Sequence, residues 1–108
     1  MSEISKSLVS FHIAGFQYWD GALALSKLKV GKKLTLVAEP DNQIDPSAVA
    51  LYYKDTKLGY VPQNANEIIA QFIHFGHGGA FECIVLGVDQ SAAPWKQVYA
   101  GIRITDAR

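Results

Sequence analysis

Leu36-Val37-Ala38-Glu39-Pro40-Asp41-Asn42-Gln43-Ile44-Asp45-Pro46-Ser47-Ala48-Val49-Ala50-Leu51 runs from an apolar strand, through a polar hinge, into a second apolar strand. The hinge, residues 39–46, holds the carboxylates of Glu39, Asp41 and Asp45, the amide of Asn42, and Pro40 and Pro46. An ordinary reversal needs only two to four residues of Gly, Asn, Asp or Pro chemistry. A connector this long and this dense in polar groups is a candidate site.

Working outward, residues 32–38 and 47–54 read as strands on either side of the hinge, from their apolar and β-branched content. Asp55-Thr56 is a tight connection, after which residues 57–61 pair back as a hairpin until Pro62 stops them. Asn64-Ala65-Asn66-Glu67 fits a capping box. Ala65, Ile68, Ile69, Phe72 and Ile73 then fall on one helix face, and Gly76 suits the position just past the helix end. Residues 80–89 are a long strand, 90–94 a loop, and 96–105 a last strand with Val98, Ala100, Ile102 and Ile104 on one face. Upstream, residues 8–15 are β-rich, with Phe11 and Ile13 on one face and His12 on the other. Residues 15–21 are a loop, and 22–28 a short helix or irregular turn carrying Leu25 and Leu28.

Six short strands with one clear helix give a mostly β fold. Antiparallel strands at this spacing favour a small closed barrel over an open sheet, because closure removes exposed edges. A chain of 108 residues suits one domain, 8–108, after a polar, disordered tail over 1–7. The formal net charge is zero, so long-range steering toward nucleic acid is weak and any such contact must be local. Cys83, the single cysteine, lies in an apolar run and is expected to be a buried, inert thiol. No signal-peptide pattern opens the chain and no apolar run approaches the ~20 residues of a membrane span, so a cytoplasmic protein is the expectation.

Read as residues alone, the aromatic pair Tyr18-Trp19 beside Gly15 and Gly21 either caps the barrel or offers a stacking surface. Asn42 and Asp45 either build an Asx-type turn or present donors and acceptors to a ligand, and both can hold together. Glu39, Asp41 and Asp45 are hard oxygen donors, but their spacing fits no Ca²⁺ loop. Lys27, Lys29, Lys32 and Lys33 form a basic cluster able to meet phosphate, or a solvated turn. His12, His74 and His77 are too scattered for a zinc site, no metal or other cofactor is expected, and no nucleophile–base pair is visible.

Three segments in order carry a resemblance: Ala14-Gly15-Phe16-Gln17-Tyr18-Trp19-Asp20-Gly21; Glu39-Pro40-Asp41-Asn42 with Asp45-Pro46 and Ala48-Val49; and Leu58-Gly59-Tyr60-Val61-Pro62 followed by Asn66. Together they resemble the HIRAN family, small domains that stand alone in bacteria and are fused to DNA helicases and nucleases in eukaryotes. The resemblance implies a six-stranded OB- or SH3-like barrel flanked by one or two helices. It also implies a non-catalytic module for single-stranded DNA 3′ ends, linked to DNA repair or replication forks, with a helicase or nuclease partner in trans. On that reading Tyr18 stacks on the terminal base, Asp45 and Asn42 read the sugar end, Tyr60 lines the groove, and Gln17, Trp19 and Gln63 are further nucleic-acid-binding positions; from the basic cluster, Lys32 or Lys33 would touch phosphate. Departures from the family pattern fall at Gln17, where arginine is usual, at Ile44, where an aromatic is usual, and at Gln63, where a basic residue is usual. Zinc binding, associated with the family, finds no ligand set here. Two alternatives are a protein-interaction module of the same fold and a metal-dependent hydrolase or nuclease accessory at the acidic hinge.

Overall fold

The structure, a computed structural model, describes residues 5–105. Its strands are β1 (Ser5–His12), β2 (Lys33–Ala38), β3 (Val49–Tyr53), β4 (Thr56–Tyr60), β5 (Phe81–Val88) and β6 (Val98–Thr105). The helices are α1 (Gly21–Ala24) and α2 (Gln63–His74), with short 3₁₀ turns at Phe16–Tyr18, Leu25–Lys27, Gly78–Ala80 and Pro94–Lys96. All neighbouring strands are antiparallel, in the order β1-β6-β5-β2-β3-β4. This is a small OB-like barrel with helices at its flanks.

β2 is the strand that bends the sheet. Lys33 and Leu34 pair with Ile84 and Cys83 of β5, whereas Thr35 to Ala38 pair with Tyr52 to Val49 of β3. One continuous strand thus belongs to both halves of the barrel. The expected closure is only partial. The outer strands β1 and β4 meet through one bridge just past the end of β1, where Ala14 and Tyr60 exchange backbone hydrogen bonds at 2.9 Å each way. Closure at that point brings the aromatic loop after β1 against the end of β4.

Ile13, Val49, Leu51, Leu58, Val61, Ile69, Val85, Val98 and Ile102 form the centre of the core and are essentially inaccessible to water. Cys83 joins them, and burial pushes its thiol up to about 12, which keeps it protonated and inert. On β6 the inward face is Val98, Ala100 and Ile102; Ile104, expected on that face, is exposed at the strand end. Lys96 belongs to a 3₁₀ turn instead of β6. The tight connection of the β3–β4 hairpin is Lys54-Asp55, one residue earlier than read, with Lys54 at φ 54°. At the N-terminus, residues 5–7, expected in the tail, pair with the end of β6 and so belong to β1; the rest of that tail lies outside the described residues.

α2 departs from expectation in a way that matters for the site. It begins at Gln63, directly after Pro62, and no side chain caps it, so the capping box at Asn64 and Glu67 does not form. Proline there needs no hydrogen-bond partner for its nitrogen and presets the backbone entry. The buried stripe is Asn66, Ile69 and Ala70, with Ala65 and Ile73 partly covered, while Ile68 and Phe72 face outward. The helix is rolled so that a polar residue points in. Its far end follows the sequence reading: Gly76, at φ 84°, donates to Ile73 O, and His77 N donates to Phe72 O, completing a Schellman motif.

Candidate functional site

The hinge is a folded object. Its mouth is closed by Glu39 N donating to Ala48 O at 2.9 Å. Inside, the Asn42 side-chain oxygen accepts from the backbone N–H groups of Ile44 and Asp45 at 2.9 and 3.0 Å, and Asp45 Oδ1 accepts from Ser47 N at 2.9 Å. These are the Asx-type turns that the residue types favour. The second oxygen, Asp45 Oδ2, accepts from Nδ2 of the buried Asn66 at 2.8 Å, which explains why α2 turns a polar residue inward. A buried amide needs partners, and this one also ties the hinge to the helix.

The hinge, the loop after β1, the end of β4 and the start of α2 enclose a groove of about 670 Å³. Tyr18, Trp19, Asn42, Asp45, Tyr60 and Gln63, six of the nine positions proposed from sequence, line it. Tyr18 is 78% exposed, with its ring free to meet a ligand, and Trp19 is 42% exposed. Ile44 stands on the rim at 91% exposed. The other three positions lie elsewhere. Gln17 is exposed on the 3₁₀ turn but does not line the groove, and neither do Lys32 and Lys33. Lys33 sits where β2 meets β5 and pairs with Glu82 at 3.0 Å, so the basic cluster does not serve the groove. No lysine or arginine lines it.

Of the two residues that organise the groove, sequence reading missed Lys57 and took Glu39 only as a hinge carboxylate and candidate metal ligand. Lys57 Nζ lies 2.9 Å from Glu39 Oε2 and 2.7 Å from the Tyr60 hydroxyl, and the Tyr60 hydroxyl donates to Glu39 Oε1 at 2.8 Å. Asn42 Nδ2 donates to the same Glu39 oxygen at 3.1 Å. The ammonium also stands over the Trp19 ring, 3.8 Å from its centroid, and beside the hydroxyl end of Tyr60, 4.5 Å from that centroid. A lone lysine on a strand carries no motif, so nothing local flags it; only the Ala14–Tyr60 junction, which brings the loop after β1 against β4, sets it against Trp19.

Burial pushes the Glu39 carboxyl up, but hydrogen bonds from Lys57, Asn42 and Tyr60 outweigh it and hold the group below the ordinary carboxylate value. Burial also pulls Lys57 down, and its bonds with Tyr60 and Glu39 leave it above its ordinary value. Glu39 is therefore stabilising above its unfolded value of 4.5, and that contribution is lost as pH falls through the lower folded value. Glu82, held low by Arg103 and Lys33, acts in the same direction, so the informative quantity is a difference between variants. In acid titrations of unfolding, the native chain is expected to lose stability more steeply below about pH 4.5 than Glu39→Gln. Equal slopes would mean that the carboxylate is not coupled to the fold.

The same geometry turns two of the three hinge carboxylates toward protein partners. Glu39 is turned to Lys57 and Tyr60, Asp45 to Ser47 and Asn66, and Asp41 faces solvent. Among the described residues no three His, Cys, Asp or Glu side chains gather as a ligand set. No helix among them is long and apolar enough to cross a membrane.

The HIRAN domain family model matches residues 6–104. The chain belongs to the HIRAN family. This HIRAN domain superposes on a protein from Lactobacillus plantarum with a TM-score of 0.76 at 24% identity, covering 97% of this chain and 99% of that one. It superposes on the HIRAN domain of human HLTF with a TM-score of 0.62 at 14% identity, over 94% of this chain and 73% of that one. At these identities the two structures establish the shared fold. No curated protein matches the chain.

Proposed function

We propose that this HIRAN domain binds the 3′ end of single-stranded DNA in the groove between the hinge and the aromatic loop, and catalyses no reaction itself. The observation that carries the reading is an exposed Tyr18 that shares one groove with a hinge whose Asn42 and Asp45 side chains are already immobilised. Tyr18 stacks on the terminal base, an interaction worth about 1–3 kcal/mol for any base. Each Asp45 oxygen accepts one bond from the protein and keeps capacity for another, so the carboxylate accepts from a terminal hydroxyl and repels a terminal phosphate. A helicase or nuclease acting in trans supplies the chemistry on the bound end, in repair or at replication forks.

Because no cation lines the groove, the phosphates stay in solvent and binding depends only shallowly on salt. Heteronuclear NMR titration with two short strands, identical except for a 3′-hydroxyl or a 3′-phosphate, tests this. Shifts at Tyr18, Asn42 and Asp45 are expected with the hydroxyl strand alone, and Tyr18→Ala should weaken binding by roughly 5–150-fold. Silence with both strands at low salt would overturn the reading. It would favour an apolar peptide as the ligand, for which exposed Ile44 on the rim and the lack of cations already speak.

A further inference from the structure

Lys57 does not line the groove, yet it touches both aromatic walls from behind. Its side chain is only 14% exposed, a costly place for an ammonium unless it is paired and serves as a fixed point. Two of its three donors are taken by Glu39 and the Tyr60 hydroxyl. Its charge lies over the Trp19 ring at 3.8 Å, and its backbone oxygen accepts from Asp20 N at 3.2 Å, so both ends of the residue hold the aromatic loop. Trp19 and Tyr60 then meet edge to face with centroids 6.0 Å apart. The ammonium packs beside this pair, and Tyr18, 78% exposed, is the open stacking surface.

We propose that Lys57 is the positioning residue of the groove: its ammonium, anchored by Glu39, holds Trp19 and Tyr60 as a rigid corner so that a strand end meets a preformed wall. The proposal rests on the DNA-end reading for its functional consequence but not for the corner itself. Pre-forming the wall removes ordering that a ligand must otherwise impose, and affinity rises accordingly. A lysine acting by position leaves the salt dependence of binding unchanged, whereas one that reaches phosphate contributes about one unit of slope.

Lys57→Met keeps the apolar stem and removes the charge; Lys57→Arg keeps charge and ring stacking. In the free proteins, the Trp19 indole N–H resonance is expected to move and broaden in Lys57→Met and to stay close to its native position in Lys57→Arg. With the 3′-hydroxyl strand, Lys57→Met should bind about tenfold more weakly with an unaltered salt slope, and Lys57→Arg should recover most of the loss. Should Lys57→Met fail to fold, Glu39→Gln, which frees the ammonium from its anchor, is read in the same way. An unmoved Trp19 resonance in a folded Lys57→Met protein overturns the proposal. So does a salt slope that falls by about one, which would make Lys57 a phosphate contact. If the native protein binds neither strand while Trp19 moves in Lys57→Met, the DNA-end reading fails and the corner stands.

Discussion

Gly59→Ala is expected to lower stability by about 3 kcal/mol or more, on the order of 10–20 °C in Tm for a domain of this size. Gly59 lies in β4 at φ 149°, a region that side-chain-bearing residues rarely occupy. A Cβ there would collide with the Ala14 carbonyl oxygen and stand 2.8 Å from Ile13 Cγ2 and 3.3 Å from Phe16 N. These atoms are backbone or core, so none can swing aside. They also belong to the segment where β1 meets β4 through the Ala14–Tyr60 bridge. The substitution therefore forces apart the junction that partly closes the barrel, and the aromatic loop moves off the groove with it. Gly79→Ala is the control, since nothing lies within 4 Å of its added carbon. Thermal unfolding of the two variants decides the matter. Similar Tm values would show that the close approach of β1 and β4 is not tight in solution.

Asn66→Ala is expected to cost about 1.5–3 kcal/mol, the range for a hydrogen bond to a charged partner. The bond from Asn66 Nδ2 to Asp45 Oδ2, 2.8 Å long, is the side-chain tie between α2 and the hinge. Without it the carboxylate loses a donor in a part-buried place, and the hinge is held there by the Ser47 N–H alone. The expected signature is strong non-additivity in a double-mutant cycle. Once Asn66 is alanine, a further Asp45→Ala change should cost about 1 kcal/mol less than it does in the native background. Denaturant unfolding of the four proteins gives the coupling. Additive costs would mean that the two side chains do not share their energy. The same cycle read by ligand affinity reports whether the orientation of Asp45 matters for recognition.

These two positions show where local reasoning reaches and where it stops. The hinge was legible because its chemistry is local: Asn42 and Asp45 bond backbone groups two or three residues away, so residue type and spacing suffice to expect the turns. The strands were legible from alternation, and their number favours a barrel. Tyr18, Trp19, Tyr60 and the hinge were brought together on family resemblance, and the groove does unite them.

The face of α2 was misread because apolar periodicity cannot see a polar residue that belongs inside. Asn66 is buried for the sake of Asp45, 21 residues away, and that partnership rolls the helix so that Ile68 and Phe72 face outward. Lys32 and Lys33 were placed in the site on charge alone. Their location depends on β2 spanning both halves of the sheet, which carries its first residues to β5 and away from the groove. Lys57 was passed over for the complementary reason: its meaning lies in contacts with Trp19 and Glu39, 38 and 18 residues distant along the chain. By itself the sequence determined the strands, the hinge and the family, because these follow from period, turn chemistry and motif order. Only the tertiary structure decided which cation meets the aromatic wall and which helix face meets the hinge, because contacts across the barrel depend on strand order and register, which no local pattern encodes.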